Sequence, residues 1–214
     1  MKIVFVLYEE MTALDLIGPY QVLSFAPDAQ VTLAATSAGP KKTDSGIRMY
    51  ADVALKDVRD ADVIVVPGTS RPELQMADRE LLDWLADASK RAQWTTSVCT
   101  GSLILGAAGL LRGKRATTHW MVHDALRELG AEPVRERVVV DGQLVTAAGV
   151  SAGIDMALSL VARIWSPEVA QAIQLGIEYD PKPPFSAGSP DTAGADIVQL
   201  AIRMMTAAAP NLVR

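Results

Sequence analysis

Cysteine and histidine are scarce in this sequence of 214 residues, which contains one cysteine, Cys99, and two histidines. A lone cysteine forms no disulfide within the chain, which favours a reducing, cytoplasmic location and leaves the thiol available for chemistry. His119 and His123 are four residues apart, a spacing found in helical metal sites, but no third ligand lies near them in the sequence. We therefore predict no metal site and a structural role for both histidines.

Long basic runs, long apolar runs and nucleotide-binding motifs are also missing. The formal net charge is −5 and no basic run is longer than Lys41-Lys42, which disfavours nucleic acid and anionic membranes as partners. The first apolar run, residues 3–7, is too short to span a membrane and is predicted to be a strand. No Gly-x-Gly-x-x-Gly motif follows it and the chain has no P-loop, so nothing supports nucleotide binding. We expect no nucleic-acid partner and no membrane association.

Hydrophobic residues make up 50% of the chain, enough for a large core without disulfides or metals. Their periodicity predicts alternating strands and helices, which form a mainly parallel sheet with helices on both faces. We expect one α/β domain over residues 1–214. The predicted strands cover residues 3–7, 30–35, 62–66, 93–98 and 115–118, with one hairpin arm at 45–50 and a hairpin at 138–146. The predicted helices cover residues 14–25, 78–88, 100–108, 120–129, 151–162, 167–177 and 193–208.

Cys99 falls between a predicted strand and a predicted helix, where the chain must turn sharply. A strand-to-helix elbow lifts its side chain out of the sheet and directs it towards the positive end of the helix dipole. That field favours the thiolate, which is the nucleophilic form of cysteine. The alternative is that Cys99 is a small buried apolar residue, which is the commoner role of a single cysteine.

Polar residues also follow two other predicted strands, and the carboxyl ends of parallel strands meet at one edge of a sheet. Asp15 comes after the first strand, and Gly68 and Thr69 come after the strand at 62–66. Asp15 has apolar neighbours, so partial burial is expected to raise its pKa towards neutrality and make it a proton carrier. The alternative is a helix cap. Thr100 either caps the helix after Cys99 or orients a reactant.

Several segments resemble the ThiJ/PfpI superfamily, over about residues 2 to 206. The similar segments are residues 65–68, 97–101, 113–120 and 152–155. This resemblance implies a flavodoxin-like, glutamine-amidotransferase-like fold with a cysteine nucleophile elbow. Within the superfamily, residues 14–19, 96–120 and 178–192 are most similar to the branch that hydrates isocyanides.

The resemblance implies that an isocyanide is converted with water to an N-formamide, through a covalent thioimidate on Cys99 and without a cofactor. In this branch Asp15 would move the protons, Thr100 would hold the attacking water or Asp15, and Val150 would pack beside the cysteine. Gly68 and Thr69 would contact the substrate, and the chain would form a homodimer.

This sequence departs from the family pattern at two places where we expect more glycine, Thr69 and Ala147-Ala148. Their added methyl groups are expected to narrow the pocket or stiffen the helix near residue 151. Thr100 replaces the histidine that usually follows the nucleophile in the peptidase-like and glyoxalase-like branches, which disfavours those activities.

Two non-hydratase functions remain open from the sequence. The first is a ligand-sensing module like that of certain AraC-like regulators, which needs a DNA-binding helix pair. We predict a single helix after Pro190, and the negative charge also disfavours DNA binding. The second is a redox sensor in which Cys99 forms a reversible sulfenic acid.

Overall fold

A seven-stranded sheet forms the centre of the protein, which a computed structural model describes over residues 1–208. The predicted domain of residues 1–214 includes 209–214, which lie outside the described residues. The strands are β1 (Lys2–Val6), β2 (Gln30–Ala35), β3 (Gly39–Lys42), β4 (Arg48–Ala51), β5 (Val53–Ala54), β6 (Val63–Val66), β7 (Trp94–Val98), β8 (Arg115–Ala116), β9 (Glu132–Pro133), β10 (Val138–Asp141) and β11 (Leu144–Ala147). The helices are α1 (Ala13–Leu23), α2 (Pro72–Met76), α3 (Arg79–Ala88), α4 (Gly101–Ala107), α5 (Ala125–Glu128), α6 (Ala152–Ile164), α7 (Pro167–Gly176), α8 (Pro190–Ala193) and α9 (Ala195–Ala208).

The strand order of the sheet is β10-β11-β7-β6-β1-β2-β5, and its pairs are parallel except for the β10–β11 hairpin. From β1 the chain moves outward to β2 and β5, then returns to β6 on the other side of β1. The connections that leave β1 and β6 therefore diverge and open a crevice at the carboxyl ends of these strands. All four residues of β6 are buried, as expected for a strand covered on both faces.

The helices pack in two groups, one on each face of the sheet. Helix α6 contacts α1 and α7, whereas α4 contacts α2, α3 and α5. Right-handed crossovers explain this division. Helix α1 connects β1 to β2, towards the β5 edge of the sheet, whereas α3 and α4 follow β6 and β7 on the way towards the β10 edge. The predicted mainly parallel, flavodoxin-like α/β fold is confirmed.

Local signals located most elements well. The Asp78 side chain accepts a hydrogen bond from the Leu81 N–H at 3.1 Å, which confirms the predicted start of α3. The predicted hairpin at 138–146 is β10–β11, and Gly142, with a φ of 63°, begins its two-residue turn. The hairpin arm predicted at 45–50 corresponds to β4, which pairs with β3.

The helix predicted over 120–129 is wrong. The chain instead forms a 3₁₀ turn at Trp120–Val122 and the short helix α5. The turn starts at His119, whose side chain accepts the Met121 N–H and so replaces the bonding pattern of a longer helix. The predicted strand at 115–118 is only two residues long, and α8 adds a second helix after Pro190. Over residues 1–208, no helix combines the length and the apolar character needed to cross a membrane.

Candidate active site

Cys99 lies at the elbow between β7 and α4, as predicted. Its φ is 57°, in the left-handed region that residues other than glycine rarely adopt. Its N–H donates to the Ala147 and Ala148 carbonyl oxygens at 3.1 and 2.9 Å, which holds the strained residue against the end of β11. Backbone strain that neighbouring segments maintain in this way is common at functional sites.

Gly101 allows the elbow to approach the end of β6. A Cβ at Gly101 would lie 2.3 Å from the Val66 oxygen and 2.6 Å from the Pro67 oxygen, so backbone would have to move. We expect Gly101→Ala to lower the free energy of unfolding by about 1–3 kcal/mol or more in urea denaturation. Gly176→Ala is the control, because its Cβ would meet nothing within 4 Å. Equal stability of the two variants would contradict this close approach.

Three sequence-predicted residues, Asp15, Cys99 and Thr100, converge above Gly68. A Cβ at that position would lie 2.6 Å from Asp15 Oδ2, 2.7 Å from the Thr100 nitrogen and 2.8 Å from Cys99 Cβ. The Gly68 N–H donates to Asp15 Oδ2 at 2.8 Å. The missing side chain of Gly68 therefore leaves the space in which a carboxyl group, a thiol and a backbone N–H meet.

Asp15 is fully buried, and this burial raises its pKa to about 7. The negative charge of Asp44 adds to the rise, whereas hydrogen bonds from the Gly68 N–H and the Cys99 thiol oppose it. Oδ1 is buried and has no partner in the hydrogen bonds of residues 1–208. Asp15 can therefore exchange a proton near neutral pH, as the apolar residues around it in the sequence predicted.

The prediction that Cys99 is a thiolate at rest is wrong. The side chain is only 6% exposed, and burial, followed by the nearby Asp15, raises its pKa well above the usual thiol value. The backbone N–H groups of Thr100 and Val150 lower it, but they do not overcome burial. Cys99 therefore carries a proton at rest, and Asp15 is the group placed to remove it. The two form one coupled acid–base pair.

The hydroxyls of Thr100 and Thr69 connect the loops of the site. Thr100 Oγ1 donates to the Thr69 oxygen at 2.7 Å and accepts from the Thr69 N–H at 2.8 Å. The Thr69 hydroxyl donates to the Glu10 oxygen at 2.7 Å, so it is directed away from Cys99. The Thr100 hydroxyl thus holds the loop after β6 in place, while its backbone N–H faces the reacting groups.

A cavity of about 510 Å³ lies beside the elbow. Cys99, Asp15 and Thr100 are not among the residues that line it, but two neighbours of the cysteine are. Thr118 donates to the Cys99 oxygen at 3.0 Å, and the Val150 N–H faces the thiol. Val150 therefore has the expected position, whereas Gly68 and Thr69 lie behind the cysteine and do not line the cavity. The lining residues are Leu14, Thr117, Thr118, His119, Trp120, His123, Arg135, Glu136, Arg137, Ala148, Gly149, Val150, Ser151, Gly188, Ser189, Pro190 and Asp191.

Sequence reasoning missed two residues of this site. The buried Tyr8 hydroxyl donates to the Pro67 oxygen beside Asp15 and Cys99. The available signal was its position in the loop that follows β1. His119 lines the cavity, although the lack of a third metal ligand near it in the sequence favoured a structural interpretation. Over residues 1–208, no three His, Cys, Asp or Glu side chains form a group that could hold a metal ion.

Similarity to known proteins agrees with this geometry. Residues 1–163 match the DJ-1/PfpI family. The chain belongs to this family. It is 46% identical over 212 residues to the isonitrile hydratase of Pseudomonas putida, an alignment that covers 99% of this chain and 92% of that protein. The crystal structure of a ThiJ/PfpI family protein from Pseudomonas syringae superimposes with a TM-score of 0.94 at 40% identity, covering 99% of this chain and 88% of that one. The resemblance seen in the sequence is confirmed.

The chain is also similar, more distantly, to a transcriptional regulator. The HTH-type transcriptional regulator CdhR of Pseudomonas aeruginosa is 32% identical over 138 residues, which cover 64% of this chain and 41% of the regulator. Most of the regulator therefore has no counterpart in this alignment.

Proposed function

We propose that this protein is an isocyanide hydratase, which converts an isocyanide and water to an N-formamide without a cofactor. The observation that carries the proposal is the meeting of Asp15, Cys99 and the Thr100 N–H above Gly68, next to a cavity of about 510 Å³. The full-length similarity to an isonitrile hydratase supports the same reaction. A carboxyl group with a pKa of about 7 can take up and release protons at the pH at which cells operate.

In the first step, the Asp15 carboxylate takes the proton of the Cys99 thiol as sulfur attacks the terminal carbon of the isocyanide. A new C–S bond forms, and Asp15 returns the proton to the same carbon. The product is the thioimidate R–N=CH–S–Cys. The N–H groups of Thr100 and Val150, which lower the pKa of the Cys99 thiol, stabilise the negative sulfur during this transfer.

In the second step, water adds to the thioimidate carbon and Asp15 accepts one of its protons. That proton passes to the substrate nitrogen, giving R–NH–CH(OH)–S–Cys. The C–S bond then breaks and sulfur leaves with the electron pair. The hydroxyl proton returns to sulfur through Asp15, which releases R–NH–CHO and restores the thiol.

Turnover of a simple alkyl or aryl isocyanide tests this function. Wild-type protein is expected to produce the N-formamide catalytically, as measured by chromatography with mass detection against an enzyme-free control. If formamide forms no faster with the protein than in the enzyme-free control, across a panel of alkyl and aryl isocyanides, the proposal is refuted.

A redox-sensing role for Cys99 has less support than catalysis. Oxidation to a sulfenic acid proceeds through an exposed thiolate, whereas this thiol is buried and has a raised pKa.

The proposal extends to a homodimer. The residues Ile197, Leu200 and Met204 lie on one stripe of α9 and are 49%, 45% and 65% exposed, and Leu175 on α7 is 81% exposed. A second copy of this chain that covers these residues would remove them from water. Light scattering after gel filtration is expected to give the mass of two chains, and Leu200→Glu to shift it towards one, whereas the exposed control Arg203→Glu keeps the dimer. A wild-type monomer would contradict the dimer.

The same proposal places the whole chain in one domain that acts in the cytoplasm, where reducing conditions keep the Cys99 thiol free.

A further inference from the structure

His119 lies in the cavity wall close to the cysteine elbow. Its side chain is 5% exposed and lines the cavity. The preceding residue, Thr118, donates to the Cys99 oxygen at 3.0 Å. A Cβ at Gly149 would lie 2.8 Å from His119 Cδ2 and 3.5 Å from Nε2, so the ring packs against the segment that presents the Val150 N–H to Cys99. The imidazole therefore lies next to two residues that contact Cys99: Thr118, which precedes it in the chain, and Val150, which follows the glycine that it packs against.

The hydrogen bonding of His119 fixes which nitrogen carries its proton. Nδ1 accepts the Met121 N–H at 3.4 Å, so it has no hydrogen of its own. Burial lowers the pKa of the imidazole below its usual value, which keeps the ring neutral at pH 7. A neutral imidazole with an accepting Nδ1 carries its hydrogen on Nε2. Within residues 1–208 no hydrogen bond uses that donor.

We propose that the Nε2–H of His119 donates a hydrogen bond to the substrate nitrogen while water adds to the thioimidate. The inference rests on the proposed function, because it assigns a partner to one atom of that intermediate. The thioimidate carbon is bonded to Cys99 sulfur, so nitrogen is the next atom and the rest of the substrate extends from it into the cavity. His119 lines this cavity, and its ring packs against Gly149, the residue before the one whose N–H reaches Cys99.

The Nε2–H of His119 would stabilise a negative charge on the substrate nitrogen that exists only during the reaction. When water adds to the C=N carbon, negative charge develops on nitrogen until a proton arrives from Asp15. A fixed, neutral N–H stabilises that charge without having to reorganise, as donors in an oxyanion hole do. His119 transfers no proton, because loss of its hydrogen would leave an imidazolate.

Two substitutions separate this role from a structural one. His119→Asn keeps an acceptor at the position of Nδ1 for the Met121 N–H but removes the donor at Nε2. His119→Gln places an amide N–H near the position of Nε2 and removes the Nδ1 acceptor. A structural role predicts that Asn is the better replacement, whereas the proposed role predicts that Gln is.

We expect His119→Asn to lower kcat by about 10²–10³-fold and to lower KM with it, leaving kcat/KM nearly unchanged, because the lost interaction acts only after the thioimidate has formed. Intact-protein mass spectrometry during turnover should then show the Cys99 thioimidate accumulating, since its hydration becomes the slow step. His119→Gln should retain most of kcat and show little adduct. Thermal melting checks that both variants are folded.

The outcomes distinguish this inference from the function on which it rests. Wild-type turnover with an equally active His119→Asn overturns the role of His119 and leaves the hydratase proposal intact. Equal losses in both variants without adduct also overturn it, because they indicate a role in folding or in substrate entry. Absence of turnover by the wild type overturns the hydratase proposal, and the inference falls with it.

Discussion

Cys99→Ala is expected to abolish formamide production, lowering kcat/KM by at least ~10⁴-fold, because the reaction then has no group to form the covalent intermediate. Cys99→Ser is expected to be almost as inactive. Its hydroxyl is nearly the same size, but an alcohol is a much weaker acid and a harder nucleophile than a thiol. Both rates are measured by following the formamide with time.

The serine variant is the matched control for this experiment. Position 99 has a left-handed backbone, which alanine and serine adopt no more easily than cysteine does. Thermal melting therefore checks that both variants still fold. Intact-protein mass spectrometry during turnover should find the substrate adduct on a small fraction of the wild type and on neither variant. Normal turnover by a folded Cys99→Ala protein would refute the covalent mechanism.

Asp15→Asn should lower turnover by about 10²–10⁴-fold, since every proton in the cycle passes through this carboxyl group. For the wild type, the carboxylate must be free to accept the thiol proton. Because the pKa of Asp15 is about 7, kcat/KM should rise about tenfold per pH unit below neutrality and level off above it. The profile is measured between about pH 5.5 and pH 8.5. A flat wild-type profile, or the same inflection in Asp15→Asn, would assign the proton transfers to another group.

The same substitution should increase stability in alkaline solution. The pKa of Asp15 is about 7 in the folded protein and 3.8 for an ordinary aspartate, so the unfolded chain releases this proton first as pH rises. The free energy of unfolding therefore falls progressively as the pH rises between these two pKa values, by up to about 4 kcal/mol above pH 7. Asparagine does not ionise, so Asp15→Asn avoids this cost.

Urea denaturation at two pH values measures the effect. At about pH 8 the variant should be more stable than the wild type by one to several kcal/mol, and at about pH 4 the difference should nearly vanish. Asp44→Asn is a useful comparison, because Asp44 contributes to the raised pKa of Asp15 only through its charge. It should lower the inflection of the activity profile slightly and leave the stability difference of Asp15→Asn largely in place. Equal stability of wild type and Asp15→Asn at both pH values would contradict the raised pKa.

Several features of the site were predictable because they depend on short-range signals. The β-favouring residues before Cys99 and the apolar run after it define the elbow by themselves. The order of strands and helices then implies that Asp15, Gly68 and Cys99 share one edge of the sheet, since each follows a parallel strand. The structure brings these three residues within contact of one point.

Other features depend on which distant segments approach each other. The pKa of Cys99 was predicted in the wrong direction, because the field of a helix is a local property whereas burial and the Asp15 charge are not. The helix expected over 120–129 gives way to a turn capped by the His119 side chain. His119 enters the site only because Gly149, thirty residues further along the chain, allows its ring to approach.

The sequence by itself determined the alternation of strands and helices, the elbow that carries Cys99 and the placement of Asp15 at the same edge of the sheet. These follow from periodicity, turn chemistry and the rule that parallel strands end at a common edge. Only the tertiary structure decided which of Cys99 and Asp15 carries a proton and which residues line the cavity. Both depend on how completely water is excluded and on which backbone groups and side chains come within a few ångströms, and neither quantity is encoded in any short stretch of residues.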